Sequence, residues 1–198
     1  MHNPPQDLHN IKLNPQILTS PFLAHTNWHV ITGAPCSGKT TIIELLASRG
    51  YQTAPEAGRI YFERELAKGR TIEEIRVDDS SVAPKINELQ LEIEDQLQHD
   101  QPIFLDRGFP DCLSFHRLVG LDPNEVLSAC FQHHYASVFI LDRLPYQMDG
   151  VRQESGAASI FLDQCLFQDY TTLGYEVIRV PVLSAQDRVS FILQRLSL

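Results

Sequence analysis

The chain has 198 residues and a formal net charge of −9, from 16 Lys and Arg against 25 Asp and Glu. That length fits one domain with a core large enough to need no disulfide or metal staple. The acidic balance argues against nucleic acid as a main partner, since such binding runs on neutralising phosphates, and no apolar run reaches the ~20 residues needed to cross a bilayer.

Residues 1–26 hold four prolines (Pro4, Pro5, Pro15 and Pro21) and read as an irregular leader ahead of a single domain over 27–198. The opening Met1-His2-Asn3-Pro4-Pro5 lacks the charged-then-apolar layout of a secretory signal. From Trp28 onward, strands and helices alternate. A buried strand is expected over 28–32, a helix over 39–49 closed by Gly50, and a short strand over 51–54. A helix follows over 57–68. Residues 70–83 are polar and ambiguous. Over 84–99, Ile86, Leu89, Ile93 and Leu97 recur at helical spacing, with Glu88, Glu92, Glu94 and Asp95 on a solvated face. A strand over 102–105 ends at Asp106, and helices are expected over 110–119 and 123–134, with His133-His134 in a surface or capping role. The strand 137–141 ends at Asp142. A polar loop over 143–156 leads to a helix over 157–173, a strand over 176–180 and a last helix behind the capping-box spacing of Ser184 to Asp187. Such alternation predicts right-handed crossovers and a parallel sheet of five strands flanked by helices, with chemistry at the carboxyl ends of the strands.

The most specific signal is Gly33-Ala34-Pro35-Cys36-Ser37-Gly38-Lys39-Thr40, which fits G-x-x-x-x-G-K-[ST] at every defined position. It lies between a predicted strand and a predicted helix, as the motif demands. The bend aims successive backbone N–H groups at one point, where the helix N-terminus adds partial positive charge. The residues from Gly33 through Thr41 are therefore the expected contacts for ATP or GTP. Lys39 reaches the β- and γ-phosphates, and the Thr40 hydroxyl is a ligand for Mg²⁺.

Three further clusters fall at strand ends. Asp106 is either an acid holding Mg²⁺, directly or through water, or a cap for the next helix. Its neighbour Arg107 is either a clamp for a phosphate or an acceptor, or half of a structural ion pair. Glu56 either serves the metal or takes a proton from an attacking hydroxyl, or it complements a helix dipole. Arg59 is a candidate to hold an acceptor group. In the 143–156 loop, expected to act as a lid, Arg143 and Arg152 either neutralise a transferring phosphoryl group or pair with Asp142, Asp149 or Glu154. Cys36, Cys112, Cys130 and Cys165 are widely spaced with no C-x-x-C, which reads as reduced thiols in a cytoplasmic protein.

Taken together, Gly33–Thr40, Pro55-Glu56-Ala57-Gly58-Arg59, Leu105-Asp106-Arg107-Gly108-Phe109-Pro110-Asp111, Tyr146…Asp149-Gly150-Val151-Arg152-Gln153-Glu154 and Leu173-Gly174-Tyr175…Val180-Pro181 occur in order. In this the chain resembles the AAA-domain family of small P-loop proteins related to the ribosylnicotinamide kinase part of NadR, over about residues 28–196. The resemblance implies an NMP-kinase-like P-loop NTPase fold with the first strand central, ATP or GTP binding, and a lid arginine that maps onto Arg152. The pair Asp106-Arg107 is similar to the Asp-Arg pair of thymidylate-kinase-like enzymes. Some relatives are nucleotide- and lipid-binding regulators. A hexameric motor is not implied, because no second-region arginine finger or C-terminal helical lid domain is visible.

The leading expectation is a Mg²⁺-dependent kinase passing the γ-phosphoryl group to a small nucleoside- or nucleotide-like metabolite. Lys39, Asp106, Glu56, Arg107, Arg143 and Arg152 would be its catalytic residues, and Thr40 and Asp106 its metal ligands. The alternative is a nucleotide-dependent switch or NTPase with no small-molecule acceptor. An N-K-x-D base-reading motif is absent, which counts against a conventional GTPase.

Overall fold

The apolar runs form strands buried on both faces, as parallel sheets require. A computed structural model describes residues 11–76, 79–144 and 156–198. In chain order the elements are β1 (Ala24–His25), β2 (Trp28–Thr32), α1 (Lys39–Ser48), β3 (Gln52–Ala54), α2 (Ala57–Ala67), α3 (Ile72–Arg76), α4 (Asp79–Asp95) and β4 (Ile103–Asp106). Then come α5 (Asp111–Val119), α6 (Asn124–Leu127), β5 (His133–His134), β6 (Ser137–Leu141), α7 (Gly156–Thr172), β7 (Val177–Val180) and α8 (Ala185–Leu196). The main sheet has five parallel strands in the order β3-β4-β2-β6-β7, so β2 is central.

Side chains alternate across this sheet with period two. Ile31, Phe104, Phe139 and Leu141 point to one face, where Ile42 and Leu46 of α1 and Val189 and Ile192 of α8 cover them. Val30, Leu105, Val138 and Ile140 point to the other, against Leu113 of α5 and Leu162, Leu166 and Tyr170 of α7. A third cluster joins α2, α3 and α4 through Ala57, Tyr61, Ile75, Val82 and Leu89. It builds a wall beside the carboxyl ends of β3 and β4.

Two local expectations need correction, and one open stretch gains a structure. Within the ambiguous stretch 70–83, Ile72–Arg76 form α3 and 79–83 open α4, with Pro84 inside the helix, because Ile75 and Val82 are buried in one cluster with Tyr61. Glu94 is not on a solvated face. It is 1% exposed and accepts hydrogen bonds from Tyr135 Oη at 2.9 Å, Phe109 N at 3.0 Å and Gln90 Nε2 at 2.9 Å. The helix expected over 123–134 stops early: α6 passes into a 3₁₀ turn over Ser128–Phe131, and His133-His134 is a strand.

That last break comes from the N-terminal segment. Leu23 N donates to Phe131 O at 2.9 Å, Ala24 N to Gln132 O at 3.1 Å and Thr26 N to His134 O at 2.9 Å, so carbonyls that would continue the helix are taken by β1. Within residues 11–26 the chain also makes a 3₁₀ turn at Ile17–Thr19, buries Leu13 and lays Phe22 against Phe131, His134 and Tyr175. His133 is buried rather than superficial, its Nδ1 lying 3.3 Å from Glu94 Oε2.

Candidate active site

The phosphate loop runs from the end of β2 into α1, as the motif requires. Gly33 has φ 147°, and a Cβ there would lie 2.9 Å from both Leu141 O and Ser37 Oγ, so only glycine fits. Gly38, at φ 91°, turns the chain into the first residue of α1. That residue is Lys39, whose side chain folds back over the loop. Its Nζ donates to Gly33 O and Ala34 O, each at 3.0 Å. Burial, joined by the nearby Arg107 charge, lowers the Lys39 ammonium to about 8 against the pull of Glu56, Asp106 and Asp111. Lys39 therefore stays mostly protonated at neutral pH, and an anion in the loop would restore what desolvation took away.

The outer side of the loop is held by Arg188 of α8, which is 2% exposed. It donates from Nη1 to Ser37 O at 2.7 Å, from Nη2 to Asp142 O at 2.8 Å and from Nε to Pro181 O at 2.9 Å. One guanidinium thus joins the loop to the ends of β6 and β7. Ser37 is fully buried and its Oγ has no hydrogen-bond partner. Cys36 is exposed with φ 61°, Thr41 is exposed on the first turn of α1, and Pro35 is half-buried.

Beside the loop, at the end of the neighbouring strand β4, stands a second cluster. Arg107 is 7% exposed and has φ 73°, a strained angle for a residue with a Cβ, fixed by its N–H donating to Ile31 O at 3.1 Å. Its Nε donates to Glu56 Oε1 at 2.9 Å, and its Nη1 to Asp111 Oδ1 at 2.9 Å and to Gly33 O at 3.2 Å. The ring of Phe115 lies 5.0 Å from the guanidinium carbon. Asp111 is 2% exposed and also accepts from Tyr170 Oη at 2.7 Å and from Thr32 Oγ1. Burial alone pushes Arg107 down and Glu56 up, but their mutual attraction, with Asp111, wins: Arg107 is raised and Glu56 lowered. Both are charged at neutral pH. Glu56 occupies the N-cap position of α2 without capping it, so its partner is the arginine rather than the helix dipole.

Asp106 closes the group. It is 5% exposed, and its Oδ1 has no hydrogen-bond partner. Burial first, then the like charge of Glu56, raise its carboxyl from 3.8 to about 6 despite Arg107 and Lys39. That is about 3 kcal/mol against the ionised form. An orphaned buried carboxylate oxygen, an unpartnered Ser37 hydroxyl and a Thr40 hydroxyl at a helix start make an oxygen-donor set that fits Mg²⁺. Among the described residues no three His, Cys, Asp or Glu side chains converge as a metal cage. An ion here would take its remaining oxygens from phosphate and water, as magnesium commonly does.

Glu56, Arg107, Asp106, Lys39 and Thr40 are thus brought together at one end of the sheet. Arg59 joins them at the rim, exposed, its Nη2 3.4 Å from Thr40 Oγ1. Arg143 is half-buried just past β6. Arg152 and most of the expected lid, residues 145–155, lie outside the described residues. Sequence reasoning passed over Thr32, Asp111, Tyr170 and Arg188 as site builders. Asp111 stands four residues from Arg107 in the quoted strand-end stretch, which is a weak signal. Arg188 bonds Ser37 across 151 residues, which no local pattern reveals. The four cysteines are free, and only Cys36 is exposed. A cavity of about 270 Å³ lies at the opposite edge of the sheet, lined by His134, Tyr135, Tyr175 and Ile178. It abuts the amino ends of β6 and β7, away from the phosphate chemistry.

Phosphate loop, parallel five-stranded sheet and flanking helices define an NMP-kinase-like P-loop fold. The chain belongs to the AAA-domain family, whose profile matches residues 28–188. No curated protein sequence matches it. Among solved structures, NadR protein in complex with NR superposes with a TM-score of 0.64 at 15% identity, over 87% of this chain and 52% of that one. The chain therefore spans about half the length of NadR. Thymidylate kinase from Ehrlichia chaffeensis gives 0.61 at 14% identity, over 87% and 99%. Deoxyadenosine kinase from M. mycoides gives 0.54 at 15%, over 86% and 98%. At such identities the likeness is one of fold. No helix among the described residues is long and apolar enough to cross a membrane.

Proposed function

We propose that this protein is a kinase that moves the γ-phosphoryl group of ATP or GTP to a small nucleoside- or nucleotide-like metabolite. The observation that carries this reading is the second cluster. A phosphate loop alone would serve a switch, but here it shares its Gly33 carbonyl with Arg107, which is paired to Glu56 next to the unpartnered Asp106. Solved neighbours of the same fold that are thymidylate, deoxyadenosine and shikimate kinases support it. In this role the loop amides and Lys39 hold the donor phosphates. Thr40 and Asp106 would hold Mg²⁺, which when bound neutralises charge on the donor phosphates. Glu56 receives the acceptor, and Arg107 fixes Glu56. Arg143 and Arg152 are the candidates to meet charge on the transferring group. Such catalysis is positioning plus electrostatics, so no covalent nucleophile is needed.

The test is diphosphate release by the purified chain with MgATP or MgGTP, against panels of nucleosides, nucleoside monophosphates and vitamin precursors. Acceptor-stimulated turnover, lost in Lys39→Ala and Asp106→Asn, is the expected result. Release that is equal with and without every acceptor would overturn it in favour of an NTPase or a nucleotide-dependent switch.

A further inference from the structure

A buried acid with no part in the chemistry above lies against the turn that carries Asp106 and Arg107. We infer that Glu94 of α4 is a positioning residue for the reaction: it anchors that turn from behind, so that Asp106 and Arg107 keep their places beside the phosphate loop. The inference rests on the kinase reading above.

Glu94 is 1% exposed and shares one face of α4 with Asn87 and Gln90, which are buried too. Four donor groups converge on its two oxygens. Oε1 accepts from Phe109 N at 3.0 Å, from Gln90 Nε2 at 2.9 Å and from Tyr135 Oη at 3.0 Å. Oε2 lies 2.9 Å from the same Tyr135 oxygen and 3.3 Å from His133 Nδ1, which donates in the tautomer that carries its proton there. Among the described residues no lysine or arginine pairs with Glu94. A carboxyl buried in this way costs stability, and an apolar side chain would fill the space better. What the carboxylate supplies is an acceptor at both ends, which an amide lacks.

The turn needs such an anchor. Arg107 is held at φ 73°, a conformation that a residue with a Cβ keeps only where its surroundings impose it. The backbone is tied to other elements on both sides of the strain. Arg107 N donates to Ile31 O at 3.1 Å. Two residues on, Phe109 N is shared between Glu94 Oε1 and Tyr135 Oη, each at 3.0 Å. The bonds from Gly108 N to Asp111 Oδ2 and from Asp111 N to Gly108 O stay within the turn. Gly108 has no slack, since a Cβ there would lie 2.9 Å from Val30 Cγ2 and 3.1 Å from Tyr135 Cζ. Releasing Phe109 lets Arg107 relax toward an ordinary φ and draws its guanidinium away from Glu56 and Asp111. The phosphate loop is unaffected, because its own glycines and Arg188 hold it.

The test sets three variants of the full chain beside the wild type, well below every unfolding midpoint. Glu94→Gln keeps the volume but turns an N–H toward other donors. It should lower acceptor-dependent kcat by roughly 10- to 100-fold, as misplaced reacting groups do, and leave the KM for MgATP or MgGTP within about twofold. Native-state hydrogen exchange should find the Phe109 amide exchanging at least ~10-fold faster, with the Val30 amide of β2 unchanged. Tyr135→Phe keeps the ring and removes one of the two acceptors of Phe109 N, so both readouts should move the same way by less; it carries the test if Glu94→Gln does not fold. Asn87→Leu is the structural control. It breaks the contact of Asn87 Nδ2 with His116 Nε2, 2.8 Å apart between α4 and α5, and should cost stability without changing kcat or Phe109 exchange. Wild-type kcat in folded Glu94→Gln, or an equal loss of kcat in Asn87→Leu, would overturn the positioning role and leave the kinase reading standing. If the wild type turns over no acceptor, the kinase reading falls, and Phe109 exchange alone decides whether Glu94 anchors the turn: faster in Glu94→Gln upholds the anchor, and equal rates overturn it too.

Discussion

Eight consecutive residues make the phosphate loop, whereas the cluster beside it draws Thr32, Glu56, Arg107, Asp111 and Tyr170 from five places along the chain. The loop is shaped by backbone: two glycines at positive φ, a turn and a helix start. The cluster is shaped by charge, with Arg107 and Asp111 almost fully buried and each dependent on the other. The loop's one buried side-chain charge, Lys39, gains only two neutral carbonyls and is left to its ligand. The lesson is that neighbouring halves of one site divide their burdens. The loop keeps a buried cation without a charged partner at a cost to stability, and the cluster pairs its buried charges with one another.

Substitutions should separate the two halves. The largest effect is expected for Asp111→Ala, which leaves Arg107 with one carboxylate partner and empties the bond from Tyr170. It should destabilise the protein by about 3–5 kcal/mol in urea unfolding, and a loss below 1 kcal/mol would mean that the cluster does not bear on the fold. Next comes Arg188→Met, which removes three charge-assisted bonds to carbonyls while keeping much of the volume. It should cost about 3 kcal/mol and also raise the nucleotide KM, because Ser37 loses its anchor; an unchanged KM would detach α8 from the loop.

A smaller effect lies in β2, behind both halves. His29 is buried, with Nδ1 2.9 Å from Ser137 Oγ, and burial lowers its imidazole from 6.5 to about 4. The folded protein therefore holds His29 neutral while the unfolded chain protonates it. Stability is present in full above pH 6.5 and falls as pH drops through the window down to about 4. Going from pH 8 to pH 5 should cost about 2 kcal/mol at this position, and His29→Gln should flatten that part of the pH profile. The smallest stability effect belongs to the loop. Lys39→Met should change unfolding free energy by less than about 1 kcal/mol or raise it, since a desolvated ammonium is removed, while turnover falls by roughly 10²- to 10³-fold. A large loss of stability there would erase the contrast between the halves.

Much of this was legible along the chain. The motif Gly33–Thr40 fixes its own conformation, because glycine positions, strand and helix are all encoded within about twenty residues. The strands β2, β4, β6 and β7 were readable as short apolar runs, β3 as a short strand before Pro55, and Asp106 as the acid at a strand end. Misreadings fell where distant partners override local pattern. Glu94 looks like a surface acid by helical phase, yet Tyr135 and the Phe109 amide claim it. His133-His134 continues a helical stretch by composition, yet β1 turns it into strand. Ile72–Arg76 and the start of α4, left open by their polar sequence, are helical because Ile75 and Val82 find Tyr61.

Residue order alone therefore determined the nucleotide cradle and the alternating layers, since both follow from short-range backbone preference and from the period of apolar side chains. Which charges face one another was settled only by packing. The carboxylate partners of Arg107 emerged only when folding brought Glu56 and Asp111 within 2.9 Å of it, and Arg188 met the loop only when α8 lay against it. An ion pair is a relation between sites far apart in the chain. It acquires an energy only when folding excludes water from between them.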